Sequence, residues 1–252
     1  MLSSLHAHSQ WHHTLTSYTT RKLTDYTDTF PALSGLAQSV VPYLPEKEEY
    51  VVGMWSSHLR AGLAWCGEKY GDARRHETYI APSWSWTSIV GCIIHFNDDN
   101  LDGPDSAVHE PGTTVSIDNY AIQLATPDPF GPLAAAELHV RAPVVDLILD
   151  WYDAASHYFL HSPAETQRGK CVGEMRFDVP DEGRELKVVR CVALYSDAMC
   201  TDHGRVERPV CGVGIAVVRV GGEGDVYRRV GRVWCLRLSC FEGVGEESVV
   251  LV

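Results

Sequence analysis

The spacing of the apolar residues changes once along this chain, near residue 79, and that change restricts the folds open to it. Upstream, Phe30, Leu33, Ala37, Val40 and Val41 recur at three- and four-residue steps, which places them on one face of a helix. Asp28 stands where an N-cap belongs, and Pro31 falls in the first turn, where its missing N–H costs little. Pro42 and Pro45 close the segment. A second, short helix is expected after Ser56 or Ser57, turning Leu59, Leu63 and Trp65 inward.

Downstream the spacing falls to two. Val115 and Ile117, then Ile122 and Leu124, read as strand pairs separated by a turn or bulge at Asn119-Tyr120. Leu138, Val140 and Ala142 alternate with His139 and Arg141, and Pro143 marks an edge or a strand break. Residues 188–195 and 210–220 are rich in β-branched side chains. Trp234, Leu236, Leu238 and Cys240 alternate opposite Arg237, and 249–252 reads as a terminal strand. Turn clusters at 97–105, 126–131, 180–183 and 221–225 separate these runs. The fold class expected is α+β, mainly β: a short helical N-terminal segment packed on an antiparallel β sandwich or barrel-like body.

Residues 1–14 are polar and carry His6, His8, His12 and His13, and they read as a disordered or frayed tail. Residues 15–252 read as a single compact unit, with a helical front over 15–70 and a β-rich body over 71–252. No Gly/Ser linker divides the two. Five of the seven Trp lie in residues 1–86, which suggests that aromatics hold the front to the sheet.

Charge narrows the function classes. The 252 residues carry 21 Lys+Arg against 33 Asp+Glu, a net charge of −12. Both halves are acidic, so a nucleic-acid partner, which needs clustered cations, is not expected. No apolar run reaches the roughly 20 residues of a membrane span, and the start lacks the basic and apolar regions of a secretory signal. The eight cysteines include no CxxC pair and read as reduced thiols in a cytoplasmic chain.

Chemical motifs are sparse. Leu33-Ser34-Gly35 lacks the first glycine of a nucleophile elbow, and Gly212-Val213-Gly214 is followed by no helical pattern. Cys92 and His95 lack a second ligand pair. Asp98, Asp99, Asp102 and Asp105 form an acidic loop that departs from the calcium-loop order. The run Arg228-Arg229-Val230-Gly231-Arg232 is a local positive patch, paired with Asp225 or Glu223, part of a strand's exposed face, or available to an acidic partner. No catalytic residue, metal ligand or cofactor is assigned.

The most unusual stretch is Tyr79-Ile80-Ala81-Pro82-Ser83-Trp84-Ser85-Trp86-Thr87-Ser88. If extended, it points both Trp one way as an aromatic ledge that anchors the front or lines a groove, with serines facing out or bonding the backbone. Other blocks accompany it. One holds Trp11, then Tyr18-Thr-Thr-Arg21-Lys-Leu23-Thr24, Asp28 and Ala32-Leu33-Ser34-Gly35-Leu36-Ala37. Another is Tyr50-Val-Val-Gly53-Met-Trp55 with Leu59 and Leu63-Ala-Trp65. A third is Asp128-Pro129-Phe130-Gly131, and Tyr227-Arg-Arg-Val230-Gly231 is a weaker echo.

Taken in chain order, from Trp11 through Tyr50 and Tyr79 to Asp128, the blocks resemble the region downstream of the heterokaryon-incompatibility (HET) domain in filamentous fungal proteins. In that family the HET domain, which looks related to TIR-type signalling folds, is held to trigger incompatibility and programmed cell death. The resemblance implies the C-terminal companion region alone, from a truncated gene, a shortened paralogue or a fragmentary gene model. It carries over no catalytic residue. The function it implies is a non-catalytic accessory or regulatory region acting through protein contacts in nonself recognition, with a HET core supplied in trans as partner. Trp55, Trp65, Pro82, Trp84, Trp86, Asp128, Phe130 and Gly131 are the expected structural or interaction residues. The alternatives are a small enzyme or ligand-binding module on a β scaffold, or an inert remnant.

Overall fold

The computed structural model describes residues 4–21, 23, 25–67, 73–94, 114–153, 157–163, 171–183, 185–197, 211–221 and 224–252. Helix α1 (Ser4–Thr19) and helix α2 (Thr29–Val40) come first, followed by a two-residue hairpin of β1 (Tyr50–Val51) and β2 (Met54–Trp55) and a short α3 (Leu59–Gly62). Strands β3 (Cys66–Gly67), β4 (Arg74–Arg75), β5 (Ile89–Val90) and β6 (Ile93–Ile94) form two small ladders, β3 with β6 and β4 with β5. The body is built from β7 (Ser116–Leu124), β8 (Leu133–Pro143), β9 (Val145–Asp153), β10 (His157–His161), β11 (Cys171–Phe177), β12 (Val188–Asp197), β13 (Cys211–Arg219), β14 (Val226–Arg237) and β15 (Glu246–Leu251).

Six of these strands close on themselves. The order β11-β10-β9-β12-β13-β14 is antiparallel throughout, and β14 pairs back to β11. Closure removes the unpaired edges of an open sheet. The twelve-residue β14 also reaches beyond the barrel, where Val226 and Tyr227 pair in parallel with Val250 and Leu251 of β15. From β15 the sheet continues through β8 to β7. The protein is therefore mainly β with a short helical front, and the barrel is the form its body takes.

Alternation gives β13 two buried faces. Val213, Ile215 and Val217 join the core shared with the helical front, while Ala216 faces the barrel interior with Met175, Val233 and Leu236. The interior positions of β13 are small because the barrel leaves no room. A Cβ on Gly214 would lie 2.6 Å from the Val192 carbonyl oxygen, and on the neighbouring β14 one on Gly231 would lie 2.4 Å from that of Arg176.

Several elements differ in detail from the sequence reading. The expected frayed tail is helical from Ser4, because Ala7, Trp11 and Leu15 fall four apart and bury one face. Asp28 precedes α2 but makes no capping bond; Asp25 instead accepts from the Thr27 N–H at 2.9 Å. The turn or bulge expected at Asn119-Tyr120 is a bulge one residue earlier, at Asp118, within one continuous strand, β7. Finally, the alternation from Trp234 to Cys240 breaks. Cys235 has φ of 48°, β14 ends at Arg237, and a 3₁₀ turn takes Leu238 to Phe241. Val233 and Leu236 consequently share the barrel interior, while the Trp234 indole nitrogen points to Glu174 at 3.1 Å.

Among the described residues no helix is long and apolar enough to cross a membrane. The acidic loop, His95, Cys200 and Glu223 lie outside the described residues. No disulfide joins the seven cysteines that are described, and burial pushes the Cys66 and Cys191 thiols up, away from reactivity.

Candidate functional site

The β1–β2 hairpin turns on two residues with positive φ, Val52 at 48° and Gly53 at 87°. A β-branched residue there is costly, and it persists only where the surroundings enforce it. Here they do. Both residues are buried, and their carbonyls are acceptors for three distant side chains. Gly53 accepts from the indole nitrogens of Trp11 and Trp86, each at 3.1 Å, and Val52 accepts from the Ser85 hydroxyl at 2.8 Å. One turn thus ties α1, the hairpin and the Pro82–Ser88 segment together.

That segment is not the extended ledge its spacing suggests. Pro82 to Ser85 form a turn, Ser85 caps a 3₁₀ turn over Trp86–Ser88, and all three serines are buried. Ser83 donates to the carbonyl of Val252 and accepts from the Arg229 N–H at 2.9 Å, which docks the segment where β14 meets β15. Trp84 is fully buried, and its carbonyl accepts from the Trp65 indole at 3.0 Å. Trp55 packs edge-on against Trp11 and Tyr50, with ring centroids 5.6 and 5.3 Å away.

The Asp128–Gly131 turn completes the junction. Asp128 accepts from the Phe130 N–H at 2.9 Å, and its other oxygen lies 3.4 Å from Ser34 of α2. Phe130 sits 5.0 Å from the Tyr50 ring, and a Cβ on Gly131 would strike Thr126 and the Asp128 carbonyl. All eight residues expected as structural thus fall at or beside one aromatic seam. Alanine at Gly53 is expected to cost about 1–3 kcal/mol, since φ is positive and the new Cβ would lie 2.6 Å from the Trp86 nitrogen. Urea unfolding of the variant measures this; an unchanged midpoint would show the turn to be dispensable.

Beneath the seam lies a charge network that the sequence presented as a surface patch. Arg229 is fully buried, its guanidinium 3.7 Å from the centre of the Trp65 ring. It donates to the carbonyls of Leu63, at 2.6 Å, and Trp65, and to Asp178 at 2.9 Å. Burial pushes the Asp178 carboxyl up and the Arg229 guanidinium down, while attraction between them opposes both; Arg75 also draws Asp178 down, but as a like charge it lowers Arg229 further. Arg228 pairs with Glu182; of the two carboxylates considered for the run, Glu223 lies outside the described residues. Arg232 is also buried, so the run is no exposed docking patch.

A histidine cluster flanks α1. The His8 and His58 rings stack with centroids 3.6 Å apart, and Glu48 lies 3.6 Å from His8 while accepting from Ser56 and from the Ser57 N–H. Burial, reinforced by the neighbouring histidines, lowers His12 to about 3 and His58 to about 4. Glu48 is also lowered, by its serine hydrogen bonds. Protons therefore bind the unfolded chain first, and stability falls as pH drops from about 6.5 toward 4. Release of α1 over that range should red-shift the fluorescence of Trp11; constant emission from pH 7.5 to 4.5 would contradict it.

Beside the seam, α1, the segment leading into α2 and the β4–β5 ladder enclose a cavity of about 360 Å³. Tyr18, Arg21, Tyr26, Arg74, His76 and Trp86 are among its lining residues. His76 donates through Nε2 to the Thr87 carbonyl at 3.1 Å, and burial lowers its pKa, so it is neutral at pH 7. Sequence reasoning did not single out Arg21, Arg74 or His76 as a site. Arg21 stands 53 positions before Arg74, and no motif links it to Arg74 and His76. Among the described residues no group of three or more His, Cys, Asp or Glu is arranged to hold a metal ion. Comparison with known proteins finds no matching family model, no matching curated protein and no matching solved structure.

Proposed function

We propose that this chain is a non-catalytic accessory or regulatory region of the HET type, acting in the cytoplasm through protein contacts in heterokaryon incompatibility and nonself recognition. One observation carries the reading. The blocks that resemble the family, scattered from Trp11 to Gly131, meet around a single buried turn at Val52-Gly53. Residues that recur together are expected to be packed together, and here their shared task is to hold a helical front on a β body. Leu36, Val41 and Tyr43, on α2 and the turn after it, are large exposed apolar residues on that front. In this reading the partner is a HET core, presented or restrained by the folded region rather than replaced by it.

Expression in a filamentous fungal host tests the proposal in two arms. The chain alone should cause no cell death, and co-expression with a HET core should change the strength of the death response that core triggers. Death from the chain alone would overturn the accessory role. So would a response to the core that is identical with and without the chain. A ligand-binding module is the second reading, and the cavity beside Trp86 is the observation that favours it.

A further inference from the structure

The cavity beside Trp86 has a chemistry at odds with the rest of the chain. The protein is strongly acidic, at −12, yet the described residues lining this cavity include Arg21, Arg74 and His76 and no Asp or Glu. Neither guanidinium has an ion-pair partner among the described residues. Arg74 lies over the Tyr26 ring, its central carbon 5.8 Å from the centroid, which steadies the side chain without neutralising it. Arg75, its neighbour on β4, is by contrast engaged by Glu182 and Asp178. Asp25 and Glu77 occur only in the adjoining groove, which shares Tyr26, Arg74 and His76 with the cavity.

The walls are rigid and aromatic. Trp86 is pinned through its nitrogen to Gly53, and Tyr18 meets it edge-on at 6.4 Å. Tyr26 packs against His76 at 5.4 Å, and Ile89 and Val90 add apolar surface. A volume near 360 Å³ falls in the range of small-molecule sites, which pair apolar walls with a few charged groups. Two guanidiniums with no carboxylate partner among the described residues match the two charges of a phosphate monoester, whereas a carboxylate would leave one unpaired.

We propose that this cavity binds a small organic phosphate bearing a planar ring, of mononucleotide size, with Arg21 and Arg74 holding the phosphate and the half-buried Tyr18 and Tyr26 rings, backed by the buried Trp86, receiving the ring. The site goes beyond the accessory role and stands independently of it, because binding is measured on the purified chain whatever the fungal assay returns.

Titration calorimetry on the full chain supplies the test, with adenosine 5′-monophosphate, adenosine and inorganic phosphate as probes. The monophosphate should bind with a dissociation constant on the order of 100 μM. Adenosine and phosphate should each bind at least about tenfold more weakly, since each lacks half of the recognised chemistry. Arg21→Ala and Arg74→Ala should each weaken the monophosphate about tenfold or more. Both side chains are exposed, so melting temperatures should stay at the parent value. Should R74A disturb folding, Arg74→Lys retains the charge and is expected to lose less affinity than Arg21→Ala. No heat with millimolar monophosphate would overturn the proposal. Affinity unchanged in both alanine variants, or phosphate alone binding as tightly as the monophosphate, would overturn it equally.

Discussion

Replacing Arg229 with Leu should destabilise the protein by about 3–5 kcal/mol, the usual penalty for removing one partner of a buried ion pair. Three acceptors lose their donor at once: the Leu63 carbonyl, the Trp65 carbonyl and the Asp178 carboxylate. The carboxylate is fully buried, and with Arg229 gone its nearest remaining cation is Arg75, 3.8 Å away. Asp178 would then take up a proton more readily, so the loss should be greatest at neutral pH and smaller in acid. The substitution also strips the cation from the face of Trp65. For a chain of this length the melting temperature should fall by about 10 °C. Removing both charges, in Arg229→Leu with Asp178→Leu, should cost less than the sum of the single changes, because neither partner is left alone. A loss below about 1 kcal/mol for R229L would mean that water or another group replaces the guanidinium.

Trp84→Ala should cost a similar amount, about 3–5 kcal/mol, through a different mechanism. The ring is completely buried, so its removal loses apolar burial and leaves a cavity in a rigid surround. Its neighbours have little freedom to collapse inward. Trp65 is held by its bond to the Trp84 carbonyl and by Arg229 above its ring, while Ser83 and Ser85 on either side are hydrogen-bonded to the Val252 and Val52 carbonyls. The Trp84 indole nitrogen has no hydrogen-bond partner among the described residues. Trp84→Phe should therefore recover much of the loss, since the aromatic body matters and the N–H does not. Equal destabilisation by Phe and Ala would show that an unseen hydrogen bond, and not packing, gives this residue its weight.

Much of the architecture was legible in the sequence, because burial leaves a periodic trace. The strands β8, β12, β13 and β15 were visible as alternating or β-branched runs, and the inward set Leu59, Leu63 and Trp65 as a helical one. The trace failed where a polar residue is buried or a backbone angle departs from its element. His8 and His12 disguised α1 as a tail, although Ala7, Trp11 and Leu15 carried the signal. The positive φ at Cys235 reversed the faces of the residues after it, which no spacing rule foresees. The candidate cavity left no trace at all. Its two arginines come from segments far apart in the chain, one following α1 and one on β4, which is paired with β5.

The sequence by itself determined the class of this protein: a short helical front, a β-rich body and an aromatic junction between them. Hydrophobic periodicity and residue type act locally, and both survive in a linear string. Only the tertiary structure decided that the body closes into a six-stranded barrel, because closure depends on β14 pairing with both β11 and β13. It also decided that Arg229 is a buried strut rather than a surface charge. A guanidinium can leave water only when acceptors are already in place, and those acceptors come from residues 51 to 166 positions away.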